Sequence, residues 1–111
     1  PCCTLLQLRT RPNHIVADKR LAETQFLAGD EYTIADMANF PWLAPFTTGD
    51  IYNDAKTFLS IDEYANVNRW VKEIAARPAV KRGRIVNKVW GEENQQLPER
   101  HSASDFDGKD I

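Results

Sequence analysis

The sequence predicts an all-α fold, a helical bundle that runs into an extended C-terminal tail. Three observations predict it. Apolar residues recur at spacings of three and four over residues 34–45 and 64–78, and more weakly over 15–22. No segment alternates apolar and polar residues for long, and Val/Ile clusters bounded by turns are missing, so the strand signal is close to nil. Thr33-Ile34-Ala35-Asp36 has the spacing of a helix-opening capping box.

Residues 1–13 show no clear period, and Pro12 and Asn13 punctuate them. A first helix is expected from Ile15, stopping before Gly29, with Ala17, Leu21 and Ala22 near one stripe. FLAGDEY (26–32) reads as an apolar connection turning at Gly29 and Asp30. Thr33 then caps a second helix. Its hydroxyl is expected to accept from the Asp36 backbone N–H, while Asp36 bonds back to the Thr33 N–H and suits the positive helix end. Asp36 sits among apolar residues, and this capping role satisfies a carboxylate that is otherwise costly to bury.

Pro41 falls inside the second helix and should bend it. A run that keeps a proline and is apolar on most sides is expected at the centre of a core, with Trp42 and Trp70 as core residues. A short helix is expected within 51–59. A longer one follows, on the stripe Tyr64, Val67, Trp70, Val71 and Ile74, closed by Arg77 and Pro78. Pro78 starts a further helix over 79–89, ended by Gly91. The tail, 91–111, is too poor in apolar residues to form a core and reads as extended or disordered.

With 111 residues the chain suffices for one domain. No apolar run approaches the roughly 18–20 residues of a membrane helix. Fourteen basic and sixteen acidic residues give a net charge of −2, so the total offers no attraction for polyanions. Charge is segregated, however: residues 69–90 hold seven basic side chains against Glu73 alone. KRGRIVNK (81–88) beside Trp70 and Trp90 could track phosphates, but the flanking segments are acidic and no nucleic-acid motif surrounds it. A solvated helix face is expected, with no nucleic-acid or membrane partner.

The adjacent Cys2 and Cys3 make no disulfide framework, and a reduced pair in a reducing, cytoplasmic setting is expected. His14 and His101 stand apart and no zinc spacing occurs, so no metal site is expected. The first residue is Pro1, which suggests a processed or truncated chain, and the start lacks the features of a secretory signal. The carboxylate pairs 30/31, 62/63 and 92/93 fall in turns or caps where they stay hydrated, so no catalytic residue is assigned. Among the clustered aromatics, Phe46 and Tyr52 lie nearest a loop and are the candidates for an apolar pocket.

FLAGDEYTIADMANFPW, followed by NVNRWVKEIAARPAVKRG, resembles the C-terminal helical domain of glutathione transferases. ERHSASDF in the tail, after KRGRIVN, resembles the bacterial nu-class branch, which reduces disulfides with glutathione. The resemblance covers roughly residues 18–107. It implies a partial helical bundle over 17–90 that completes the second-substrate pocket and takes part in a homodimer. Glutathione is then the cofactor, and a disulfide or an electrophilic small molecule is the substrate.

In that family a thioredoxin-like N-terminal domain binds glutathione, and none of its elements can be placed here. The resemblance therefore implies part of an enzyme, inactive alone; the alternative is a non-enzymatic helical binding module. Residues 1–16 depart from the family's long helix, and Leu5 stands where the nu-class enzymes direct an arginine toward glutathione. This atypical segment is expected to reflect a disrupted reading frame or a misplaced gene start.

Overall fold

A computed structural model describes residues 2–49, 55–97 and 99–109, with side chains described for all but 2–9, 55 and 58. The helices are α1 (Cys2–Glu23), α2 (Ile34–Thr48), α3 (Ala55–Phe58), α4 (Ala65–Ala75) and α5 (Pro78–Ile85). Three 3-10 turns lie at Ile61–Glu63, Glu93–Gln95 and Ala103–Phe106. The chain divides into two compact units, 1–73 and 74–111.

In the first unit, α1 begins at Cys2 and runs through Pro12, well before the expected start at Ile15. Pro12 removes one ladder bond, which one turn of helix on either side can absorb. Leu5, Leu6, Gln7, Leu8 and Arg9 are strong helix formers even though they show no amphipathic period. Farther along, α1 buries His14, Ala17 and Leu21. Gly29 closes the following connection. Phe26 and Gly29 exchange backbone hydrogen bonds at 2.8 and 3.2 Å, a turn that needs the glycine's φ of 149°.

Helix α2 continues through Pro41 and Pro45 and ends at Gly49, whose left-handed φ of 80° lets its N–H reach the Pro45 carbonyl. It buries one face, Asp36, Phe40, Leu43, Ala44 and Thr47. The opposite face stays in solvent: Ile34 is 81% exposed and Trp42 77%. The expectation that Trp42 belongs to the core is therefore corrected. A run apolar on most sides does not say which face its partners cover, and here the stripe through Asp36 and Phe40 is the one covered.

Helix α4 carries the expected stripe, with Tyr64, Val67, Trp70 and Val71 buried. Trp70 meets Phe40 edge-on, with ring centroids 6.0 Å apart. Two reciprocal caps join α4 to α1. The Asp18 carboxylate accepts the Asn66 and Val67 amides at 2.9 and 3.1 Å, satisfying donors that every helix start leaves orphaned. In return the Arg69 guanidinium donates to the carbonyls of Leu21, in the last turn of α1, and Gln25, just past its end, at 3.1 and 3.3 Å. Arg69 stays exposed, but these carbonyls and the Glu73 carboxylate at 3.3 Å engage its charge.

In the second unit, Pro78 starts α5, but the helix ends at Ile85 and not near Val89. Asn87 adopts a left-handed φ of 59°, which terminates helices, and the Leu97 N–H donates to the Lys88 carbonyl at 2.8 Å. The tail contributes a fully buried Leu97, and Phe106 stacks under the Arg82 guanidinium at 4.7 Å.

Replacing Asp18 by Ala strips the α4 amides of their acceptor and is expected to cost about 1–2 kcal/mol in urea unfolding. A change within about 0.3 kcal/mol would show that the interhelical cap carries no weight.

Candidate functional site

Two features of the first unit concentrate polar groups: a buried carboxylate at the start of α2, and a groove lined by α1 and α2.

Asp36 is fully buried. Its Oδ1 accepts from the Trp70 indole N–H at 2.7 Å and the Leu27 amide at 3.1 Å. Its Oδ2 accepts from the Thr33 amide at 3.0 Å and the Thr33 hydroxyl at 3.4 Å. The Thr33 hydroxyl in turn accepts from the Ala35 amide at 3.3 Å, and the reciprocal box between Thr33 and Asp36 is complete. Both carboxylate oxygens are doubly engaged, close to the capacity of the group. Burial pushes this carboxyl up, but the hydrogen bonds from Thr33, Leu27 and Trp70 and its own amide outweigh it and hold the group below its ordinary 3.8. Such a carboxylate has no lone pair to spare for a proton in transit. It fastens the 24–33 connection, the start of α2 and α4 to one point.

The groove has a volume of about 510 Å³, within the range of small-molecule sites. It is lined by Asn13, Val16, Ala17 and Arg20 of α1, Leu27, and Asn39, Trp42 and Leu43 of α2. Each helix contributes residues three and four apart, the spacing that brings side chains onto one face. Ala17 and Leu43 are buried, while Asn13, Arg20, Asn39 and Trp42 are exposed. Arg20 is held in place by its Nε donating to the Leu27 carbonyl at 3.0 Å and by Glu23 at 3.7 Å. Asn39 Nδ2 donates to the Ala35 carbonyl at 2.8 Å. The groove thus offers an indole face, aliphatic contacts, amides and one positive charge, but no thiol.

Of the two pocket residues expected from sequence, Phe46 lies away from the groove. Phe46 is half-buried with its ring edge against His14, centroids 5.7 Å apart, and does not line the groove. Tyr52 lies outside the described residues, as do the side chains of Cys2, Cys3 and Leu5. Among the described residues no group of three or more His, Cys, Asp or Glu could hold a metal ion, and no helix is long and apolar enough to cross a membrane. The groove escaped sequence reasoning because it needs two stripes at once. Its one local signal is the mixed stripe Asn13, Val16, Ala17 and Arg20, at offsets of three, four and seven.

Removing the Asp36 carboxylate with Ala leaves the Trp70 and Leu27 donors buried without an acceptor. It is expected to cost about 2–4 kcal/mol, against about 1 kcal/mol for Thr33→Ala. Because the folded carboxyl ionises below its ordinary 3.8, its stabilisation is complete at neutral pH. That stabilisation is lost as pH falls through 3.8 toward the folded value. Urea melts of both variants across pH 3–7 check this, and a difference between wild type and Asp36→Ala that stays constant throughout contradicts it.

The family described as Glutathione S-transferase, C-terminal domain matches residues 15–78. The chain is 58% identical over 92 residues to the disulfide-bond oxidoreductase YghU of Escherichia coli, covering 83% of this chain and 32% of that protein. It is 32% identical over 73 residues to the E. coli disulfide-bond oxidoreductase YfcG, covering 66% of this chain and 30% of that one. The crystal structure of glutathione transferase YghU from Streptococcus pneumoniae, complexed with glutathione, superposes with a TM-score of 0.69 at 36% identity. That match covers 72% of this chain and 31% of the other. The chain thus spans about a third of the length of the relatives it matches. It belongs to the glutathione transferase family, as the family's C-terminal helical domain.

Proposed function

We propose that these residues supply the helical half of a glutathione-dependent disulfide reductase and act together with a thioredoxin-like half that binds glutathione. The observation that carries this reading is the 58% identity over 92 residues to a disulfide-bond oxidoreductase. In this reading the sulfur nucleophile belongs to glutathione. Its thiolate attacks one sulfur of the substrate, forms a mixed disulfide and expels the other sulfur as a thiolate. A second glutathione then attacks the mixed disulfide, releasing the second substrate thiol and leaving oxidised glutathione. The chemistry needs a supply of reduced glutathione, which places it in the cytoplasm, and the complete protein acts as a homodimer.

The part of the helical half is recognition. Trp42 offers an indole face to the apolar body of a disulfide substrate, and Asn13, Asn39 and Arg20 offer hydrogen bonds to its polar groups. An exposed tryptophan beside exposed amides has little value as packing. As one wall of a groove it supplies large contact area at low conformational cost.

Calorimetry of the 111-residue chain with millimolar glutathione is expected to show no saturable heat, and the chain alone is expected to leave 2-hydroxyethyl disulfide unreduced. A chimera in which its matched 92 residues replace those of the E. coli YghU relative is expected to reduce that disulfide within about tenfold of the parent. Saturable binding and turnover by the 111-residue chain alone overturn the half-site reading. In the chimera, Trp42→Ala is expected to raise KM for an aromatic disulfide about five- to tenfold, the loss of roughly 1–1.5 kcal/mol of contact. An unchanged KM removes Trp42 from substrate recognition.

A further inference from the structure

His14 lies on α1 only 1% exposed, although it is an ionisable group. Its Nδ1 stands 3.0 Å from the Thr10 carbonyl oxygen. A carbonyl only accepts, so Nδ1 carries the hydrogen and Nε2 presents a bare lone pair. That Nε2 is buried without a hydrogen-bond partner among the described residues. The ring is wedged between two others. Phe46 of α2 meets it edge-on at 5.7 Å, and Tyr64, immediately before α4, lies at 5.6 Å and 38°. One imidazole therefore fills the place where α1, α2 and the start of α4 converge.

Among the described residues, the surroundings suit a neutral ring. On α1, Arg11 sits 3.9 Å from Glu63, so the carboxylate nearest in sequence to Tyr64 already has a cation. Asp18, one turn along α1, is occupied by the amides of Asn66 and Val67. On α2 the neighbours of Phe46 are Pro45 and Thr47, neither charged, and the Thr47 hydroxyl donates to the Leu43 carbonyl at 3.2 Å. A proton on Nε2 would create a buried N–H and a full charge with no acceptor among these groups.

We propose that His14 is an acid-released latch: neutral, it seats α1 against α2 and Tyr64; protonated, it leaves that seat and frees α1. The latch adjoins the groove in sequence on both helices. Asn13 and Ala17 flank His14 on α1, and Leu43 lies three residues before Phe46 on α2, so release of α1 reshapes the groove. The latch rests on the buried ring and holds whichever ligand the groove takes. Burial lowers the imidazole below its ordinary 6.5, with the Thr10 carbonyl opposing. The opened form then binds a proton that the closed form does not. The seat is fully stable above pH 6.5 and weakens as pH falls through 6.5 toward the folded value.

Amide hydrogen exchange on the 111-residue chain, corrected for intrinsic rates, tests this between pH 7.5 and 5. Protection of residues 10–23 is expected to fall by up to about tenfold per pH unit below 6.5, the limit for one proton taken up on opening. In His14→Phe, which keeps a ring and loses the titration, protection is expected to stay flat. Parallel loss in both proteins, or flat protection in both, overturns the latch. Should the variant not fold, the His14 ring signal of the wild type decides by NMR. Protonation coupled to a second, exchanging α1 conformation supports the latch. An ordinary titration near 6.5 with α1 fully protected overturns it.

Discussion

Much of the first unit hangs on one buried anion. Asp36 gathers a backbone amide and a hydroxyl from its own cap, a backbone amide from the preceding connection and an indole N–H from α4. Burying a carboxylate without partners would cost more than the whole fold is worth, so these partners must arrive together. That requirement makes the anion a device for specificity. It fixes where α2 starts, how the 24–33 connection turns, and which face of α4 points inward. Asp18 and Arg69 extend the same logic, since each spends its charge on the backbone ends of the other's helix.

These dependencies explain what could be read from the sequence. The box from Thr33 to Asp36 is written in four adjacent residues, and the stripe of α4 follows from a 3.6-residue period; both are local signals. The same reading places Asp36 only as a cap. Its bond to Trp70 spans 34 residues, and no local pattern announces it. Asp18 was equally silent, because its partners lie 48 and 49 residues away. Trp42 misled for the opposite reason. It belongs to a run apolar on most sides, and only the tertiary partners of Asp36 and Phe40 decide that the indole faces water. Pro12 and the missing period hid the first half of α1, where helix propensity without amphipathicity carries the chain.

The family resemblance reached further than local pattern did. Part of its sequence motifs lies on elements that the buried carboxylate organises, the connection between α1 and α2, α2 and α4, and the rest lies on α5 and the tail. The candidate site did not follow from them, because a groove is a property of two helices and the sequence displays one at a time. What the structure adds to the family reading is a division of labour. The buried Asp36 and the half-buried Asp18 serve the fold, while Asn13, Arg20 and Asn39 beside Trp42 stay exposed.

The Asp36 carboxylate holds α2 and α4 together through the Trp70 indole. A double-mutant cycle with Asp36→Ala and Trp70→Phe, read by urea unfolding at pH 7, isolates that bond from the packing each change also removes. A coupling of about 1.5–3 kcal/mol is the result this account requires, the range of a hydrogen bond to a buried charge. Strictly additive losses would contradict it and leave Asp36 as a local helix cap.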